Sequence, residues 1–436
     1  MQSRHFVIGA AMLFAQLASA AVPAIATNTP YVFDGQTRAA NTSPPLTLEQ
    51  AVSMALSTSP ALRSAAQSVA IAEGAKLQAG AYPNPEVSFL REGMRRGART
   101  DTVQVSQALE LGGKRGARIA VADYDRALAV SDVSVGRSEL RADVTVAYME
   151  ALIAQERVDL ASASLKLANS ATNAASRRVT AGKISPLEQT RSNVAEASAR
   201  LELSQAKSEL VQAYRNLAAL WGSTAALDRS LVTPDIEQAV LPSLGELQAK
   251  LDASPQMLRA RTQIAREEAQ VRLERAQRIP DLTVTVGTKK DTELGRSQTV
   301  VGLSVPLPLF NRNQGNLLSA LRRVDKAKTE VEVEHLRLSQ ALSSAHLRAE
   351  LSQEQIVSMR QEILPAAQQA FEAAVTGFEL GKFGFIDVLD AQRTLFQNRA
   401  LYLRAVSDRY RSIADLQRYV AAEDSAGILP TDRNTK

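Results

Sequence analysis

Asp387 and Asp390 are the acidic residues whose spacing offers the clearest chemistry in this sequence. They lie three residues apart at the start of a predicted helix, so both carboxylates share one face and can act together on a cation. Glu188 occupies the equivalent place in an earlier segment, because it follows Gly182 by six residues as Asp387 follows Gly381. A second interpretation stays open: a first-turn carboxylate also compensates the helix dipole, which explains Glu188 and Asp387 better than Asp390.

Basic residues lie beside the same two glycines. Gly182 and Gly381 are each followed by a lysine, Lys183 and Lys382, and Arg178 precedes the first turn. Glycine is the preferred left-handed residue just after a helix end, so both positions are predicted to be tight turns between helices. The cations can pair with carboxylates of another protein or lock the turn region through salt bridges. Solvated cations at helix ends are the alternative.

Other reactive groups offer little. The sequence has no cysteine, and His335 and His346, eleven residues apart on a predicted helix, are about 16 Å from each other, too far to share a metal. Residues 112–115 (Gly-Gly-Lys-Arg) lack the spacing of a phosphate-binding loop and are interpreted as a corner between a strand and a helix. No catalytic set, metal site or cofactor site is expected, and the chain is predicted not to be an enzyme.

The N-terminus has the pattern of a cleaved export signal. Arg4 and His5 precede an apolar run over residues 6–17, and Ala18-Ser19-Ala20 fits a signal-peptidase site. We therefore predict a signal peptide at 1–20 and an extended linker at 21–45. No apolar run of 18 residues follows, so no transmembrane helix is expected. An exported chain of this kind is periplasmic, secreted or held in the outer membrane.

Composition favours long helices and disfavours nucleic-acid binding. Only 4% of the 436 residues are aromatic, and the net charge of +5 is small and spread along the chain. From residue 115 to 180 the sequence has no proline, and small or apolar residues recur at alternating steps of three and four, as in a coiled coil. These positions are Val144, Ala147, Ala151, Ala154, Val158, Ala161, Leu165, Ala168, Thr172, Ala175 and Val179.

The sequence contains one structural unit twice. A Ser-Pro pair occurs at residues 59–60 and again at 254–255, and in both places another proline follows 25 residues after the first. Residues 178–185 likewise have a counterpart at 377–384. Repeat one is predicted at 46–240, with strands at about 86–111 and a helical hairpin at about 115–221. Repeat two is predicted at 241–421, with strands at about 281–308 and a helical hairpin at about 316–421. A flexible tail is predicted at 422–436.

Two strands in each repeat make four in the chain, and four strands cannot close on themselves. Their free edges would be unpaired in lipid, so the strands are expected to be shared among several copies. Helices of roughly 95 Å attached to one end of such a sheet would continue it as a tube. The expected fold is mainly α with a small β part. A soluble coiled-coil scaffold with two β-hairpins is the alternative.

Four motifs carry a resemblance to the TolC-type outer-membrane efflux factors over about residues 46–421. Residues 181–188 (Ala-Gly-Lys-Ile-Ser-Pro-Leu-Glu) and 381–392 (Gly-Lys-Phe-Gly-Phe-Ile-Asp-Val-Leu-Asp-Ala-Gln) resemble the family most strongly. Residues 109–116 and 305–315 resemble the branch that serves heavy-metal RND exporters of the cobalt–zinc–cadmium or nickel type.

This resemblance implies a homotrimer with a twelve-stranded barrel in the outer membrane and an α-helical tunnel in the periplasm. It implies docking to a periplasmic adaptor and an inner-membrane RND pump, with Asp387 and Asp390 as carboxylate rings at a narrow periplasmic aperture. The expected function is passive conduction of exported substrate, and the resemblance favours divalent metal cations as that substrate. An exit duct for drugs or type I secreted proteins, and a soluble periplasmic adaptor, remain alternatives.

Overall fold

The computed structural model describes residues 44–93, 99–234, 241–380 and 382–420. The predicted signal peptide (1–20), nearly all of the predicted linker (21–45), the predicted tail (422–436) and Gly381 lie outside these residues. Within the described ranges, no helix is both long and apolar enough to cross a bilayer.

The described chain is mostly helical with a small sheet, as expected. The α-helices are α1 (Leu48–Thr58), α2 (Pro60–Ala79), α3 (Lys114–Thr180), α4 (Pro186–Ala219), α5 (Leu244–Lys250), α6 (Pro255–Ala276), α7 (Gln314–Ser358), α8 (Leu364–Glu379) and α9 (Phe385–Tyr419). The strands are β1 (Glu86–Glu92), β2 (Thr100–Leu109), β3 (Leu282–Asp291) and β4 (Arg296–Ser304). Two helical segments, a strand pair, a long helical stretch and a further helix therefore occur in the same order twice.

The four strands form one antiparallel sheet in the order β1-β2-β3-β4. The two hairpins meet between β2 and β3, where Leu109 lies opposite Leu282 and Thr100 opposite Asp291. All four strands connect to helices at the same end of the sheet. The polar residues 289–297 would be interpreted as a loop from their sequence, but β3 and β4 pair as far as Asp291 and Arg296 and leave only a short turn.

The predicted coiled-coil seam of α3 is confirmed. None of its eleven positions is exposed, and Ala161, Ala168 and Ala175, spaced by seven, are buried. The helix has 67 residues and is roughly 100 Å long. It packs antiparallel on α4, where Thr172 Oγ1 donates to the carbonyl of Ser192 at 3.2 Å. Alanine at these positions allows the two helix axes to approach closely.

The second long helical stretch is interrupted, which the sequence analysis did not predict. Between α7 and α8 the chain makes a π-helical turn over Met359–Ile363. Pro365 has no N–H and cannot continue the regular bonding pattern. The preceding residue, Leu364, donates instead to the carbonyl of Met359, five residues earlier.

The largest buried cluster lies halfway along α3, where α1, α3, α4 and α9 meet. Tyr148 is fully buried there, and its hydroxyl lies 2.7 Å from the carbonyl oxygens of both Leu46 and Val232. It also accepts from the Val232 N–H at 3.1 Å. Burial raises the pKa of Tyr148 to about 12. This one side chain ties the beginning of repeat one to the segment after α4.

The corner at residues 112–115 joins strand to helix, as predicted. Gly112 and Gly113 have φ values of +72° and +75°, and a Cβ on Gly112 would lie 2.6 Å from Ile279. Lys114 Nζ binds Asp281 Oδ1 at 2.7 Å, which links the two repeats at the end of the sheet. The corner after β4 uses Asn313, whose φ is 58°.

Candidate functional site at the hairpin tips

The turn between α3 and α4 has the geometry that its glycine predicts. Gly182 has a φ of +69°, a conformation that favours glycine. The Lys183 N–H donates to the Arg178 carbonyl, and the Gly182 N–H donates to that of Val179, both at 2.9 Å. These two bonds form a Schellman motif, which satisfies carbonyls that the helix end would otherwise leave unpaired.

The turn between α8 and α9 repeats part of this motif. The Lys382 N–H donates to the Gly377 carbonyl at 2.8 Å, the equivalent of the bond from Lys183 to Arg178. The Phe383 ring packs directly on Gly377, where any Cβ would lie 2.1 Å from the ring. This contact was not predicted from the sequence, although the glycine at the position equivalent to Arg178 was the available signal.

The first turns of α4 and α9 use their acidic residues differently. Ser185 Oγ accepts from the Leu187 N–H at 3.3 Å and caps α4, but Glu188 does not reach back to the cap and pairs with Arg191 at 3.0 Å. In α9 the Asp387 Oδ2 accepts from the Gly384 N–H at 2.8 Å. Asp387 therefore caps α9, whereas Glu188 lies in the first turn of α4 without a bond to the cap, so that dipole compensation stays open for it.

Asp390 is exposed, like Asp387, and has no ion-pair partner among the described residues. Its counterpart in repeat one is Arg191, since both follow the matching acidic residue by three positions. The tip of repeat one therefore carries a neutralised pair, Glu188 with Arg191. The tip of repeat two carries two exposed carboxylates on one helix face.

Arg178 connects the two hairpins within one chain. Its guanidinium lies over the Phe378 ring, 4.5 Å from the centroid, and donates to the Phe378 carbonyl at 3.3 Å. Within one chain Arg178 thus makes a cation–π contact and a hydrogen bond, and its pairing with a carboxylate of another chain stays a prediction. Lys183 and Lys382 are exposed, and neither forms an ion pair with a described residue.

The described residues contain no group of three or more histidine, cysteine, aspartate or glutamate side chains able to hold a metal ion. His346 is buried, with Nε2 at 3.0 Å from the Pro242 carbonyl and Nδ1 at 3.5 Å from Glu350. His335 is exposed on the same helix. The two histidines are placed separately, and His346 has a structural role at the start of repeat two.

Comparison with known proteins gives the family. The family described as "Outer membrane efflux protein" matches residues 51–223 and 247–422. The cobalt-zinc-cadmium resistance protein CzcC of Cupriavidus metallidurans is 42% identical over 382 residues, which are 86% of this chain and 90% of that protein. The nickel-cobalt-cadmium resistance protein NccC of Alcaligenes xylosoxydans xylosoxydans is 29% identical over 307 residues, 68% of each chain.

The fold is shared with solved outer-membrane channels. The MtrE channel of Neisseria gonorrhoeae superimposes with a TM-score of 0.71 at 22% identity, covering 85% of this chain and 88% of that one. The match to the family extends over both hairpins and both strand pairs. This chain therefore belongs to the outer membrane efflux protein family, in the branch that includes the heavy-metal resistance proteins.

Proposed function

We propose that this protein is the outer-membrane exit channel of a three-component RND efflux system and that it passively conducts divalent heavy-metal cations. The family places the chain in the outer membrane, with its helices extending into the periplasm. The names of CzcC and NccC favour metal cations over drugs or secreted proteins as cargo. No bond is made or broken in this function, so the chain needs no catalytic residues.

The functional unit is a homotrimer. In the described sheet β1 and β4 each have only one neighbouring strand, so one edge of each is unpaired. Three copies that pair β1 with β4 would close a ring of twelve strands and leave no edge facing lipid. The long helices of three copies would then surround one periplasmic tunnel.

The tip of repeat two forms the periplasmic aperture. In a trimer, Asp387 and Asp390 give two stacked rings of carboxylates, which attract cations and repel anions at a constriction. Asp390 contributes most, because the Asp387 carboxylate already binds the Gly384 N–H. Glu188 adds little net charge, since Arg191 lies 3.0 Å away.

The exposed lysines of the two turns contact the periplasmic adaptor. Lys183 and Lys382 are exposed and form no ion pair with a described residue, so their side chains are available to a partner's carboxylates. Energy for export comes from the inner-membrane pump, and this chain supplies only the path.

The unneutralised carboxylates at the tip of repeat two are the observation that carries the cation proposal. The test is a deletion strain challenged with cobalt, nickel, zinc, cadmium and copper, beside a panel of drugs. We expect increased sensitivity to divalent metals, restored by the intact gene and restored less well by the Asp387→Ala/Asp390→Ala variant. Sensitivity confined to the drugs would instead support the duct for organic substrates.

A further inference from the structure

An open pocket with a positive lining lies where α6 and the segment after β4 meet at the end of the sheet. Its lining residues are Arg275, Arg278, Ile279, Pro308 and Arg312, and its volume is about 610 Å³. All three arginines are exposed. Such a volume accommodates a small polar headgroup.

The three guanidinium groups are not neutralised by the rest of the described chain. Arg275 and Arg278 form no ion pair with a described residue, and Arg312 Nε donates only to the Pro308 carbonyl at 3.3 Å. The positive charge of the pocket therefore remains available to a ligand.

The two carboxylates nearest in sequence are already engaged. Glu274 accepts from the Asn313 amide at 2.6 Å and from Gln270 at 2.8 Å. Asp281 binds Lys114 at 2.7 Å. With three arginines against one adjacent glutamate, the pocket has a net positive charge.

The matching corner of repeat one shows that the fold does not require this excess charge. There the basic residues have partners: Arg115 stacks on the Tyr82 ring at 4.4 Å and donates to the Gly80 carbonyl. The ion pairs at that corner are Arg118 with Glu110 and Lys114 with Asp281. Repeat two has the same corner, but its arginines form no ion pair with a described residue.

Large apolar side chains flank Pro308, one of the lining residues, in the chain. Leu307, Leu309 and Phe310 are 76%, 64% and 92% exposed. They lie in the segment between β4 and α7, at the end of the sheet where all four strands meet helices. In an outer-membrane protein whose helices enter the periplasm, this end lies at the level of the periplasmic leaflet, which consists of phospholipid.

We propose that this pocket binds the phosphate of an anionic phospholipid of the periplasmic leaflet, with the acyl chains against Leu307, Leu309 and Phe310. The planar guanidinium group matches phosphate with two parallel hydrogen bonds and loses less hydration than a lysine ammonium would. The apolar residues and the charge together select a lipid rather than free phosphate. The proposal rests on the membrane placement of the sheet that the proposed function requires.

The test compares two variants of equal charge. The first is Arg275→Gln/Arg278→Gln/Arg312→Gln, and the control is Arg200→Gln/Arg215→Gln/Arg399→Gln, three exposed arginines on α4 and α9. Each purified protein is titrated in detergent with phosphatidylglycerol, phosphatidylcholine or inorganic phosphate, and bound lipid is counted by native mass spectrometry. We expect a preference of the unchanged protein for phosphatidylglycerol that falls at least about tenfold in the first variant only.

Three results would overturn the proposal. One is an unchanged phosphatidylglycerol preference in the first variant. Another is displacement of the lipid by millimolar inorganic phosphate, since that would mean a simple anion site. The third is a first variant whose trimer dissociates while its lipid stays bound. In that case the arginines would contact a neighbouring chain and not a lipid. Lipid binding is measured on purified protein and does not depend on metal export. If the phosphatidylglycerol preference is present but the metal-sensitivity test fails, the result counts against the proposed function alone.

Discussion

Asp387 and Asp390 lie three residues apart on α9, yet their carboxylates have different surroundings. Asp387 accepts a hydrogen bond from the Gly384 N–H at 2.8 Å and so contributes to the start of the helix. Asp390 lies beyond the first turn, is exposed, and has no ion-pair partner among the described residues. The first residue therefore has a structural role beside the electrostatic one that we propose, whereas the second has only the proposed one.

We expect Asp390→Ala to lower the cation-to-anion permeability ratio of channels in planar bilayers without changing thermal stability. Asp387→Ala should lower the same ratio less and cost about 0.5–2 kcal/mol of helix stability through the lost capping bond. Reversal potentials in asymmetric salt measure the first effect and thermal unfolding measures the second.

Glu188→Ala is the matched control for both aspartates. It removes one carboxylate at the equivalent position of repeat one, where Arg191 already offsets the charge. Its permeability ratio should stay close to that of the unchanged protein. Equal shifts in all three variants would show that total charge at the tips, and not the position of Asp390, controls selectivity.

The sequence predicted the local features of the tips and missed the contacts between them. The left-handed Gly182 and the cap at Ser185 follow from residue types at fixed offsets, so a single segment is enough to find them. The stacking of Arg178 on Phe378 joins residues 200 positions apart. It depends on how two hairpins pack, which no local pattern specifies.

Among the elements, the long helices were predicted well because their periodicity extends over many turns. Their interruption at Met359–Ile363 was not, since one proline can kink a helix, end it or be absorbed by a π turn. The strand ends were predicted less accurately. The polar residues 289–291 read as a loop, but pairing across the sheet extends β3 through them.

Tyr148 provides a test at the level of the elements, because it holds two segments against α3. Its hydroxyl contacts the Leu46 and Val232 backbones, and Leu46 also forms a parallel bridge with Leu231. We expect Tyr148→Phe to cost about 1–3 kcal/mol, since two buried backbone groups lose a partner. Thermal unfolding measures the cost, and limited proteolysis should cut near residue 46 before the helices are cleaved.

Tyr124→Phe on the same helix is the control, because the Tyr124 hydroxyl makes no hydrogen bond with a described residue. The contribution of Tyr148 to the free energy of unfolding depends on pH in a defined direction. Burial raises the pKa of Tyr148 from 10 to about 12, so its neutral form is favoured in the folded protein. This contribution is fully present below pH 10 and decreases as the pH rises towards 12. Equal stability of the two variants would contradict a fastening role for Tyr148.

For the whole molecule, the two repeats share a fold and differ in which charges they leave unpaired. Repeat one neutralises Glu188 at its tip and its arginines at the sheet corner. Repeat two leaves Asp387 and Asp390 exposed at one end and Arg275, Arg278 and Arg312 at the other. The duplication thus supplies the scaffold twice, and charge divergence leaves the two ends of repeat two available for the separate tasks that we propose at the aperture and at the membrane border.

The free edges of β1 and β4 give the last prediction, which concerns assembly. Within one sheet these edges are about 14 Å apart, since two further strands separate them at about 4.8 Å per step. That distance is too long for a disulfide, and the chain has no cysteine of its own. A disulfide between introduced cysteines on β1 and β4 can therefore form only between two copies.

We expect Ser88→Cys, combined in turn with Gln298→Cys, Val300→Cys or Gly302→Cys, which lie on the same face of the sheet as Ser88, to give disulfide-linked products in outer membranes on non-reducing gels. The three partners scan the unknown register in steps that keep the same face of β4. Because the ring closes at three chains, the largest product should be a trimer, and each single-cysteine variant should stay monomeric under the same conditions. A ladder beyond three chains would indicate open assembly of the sheet edges. Material that is stable as a detergent-free monomer, with no linked product in any register, would show that β1 and β4 remain unpaired and that one copy does not need its neighbours.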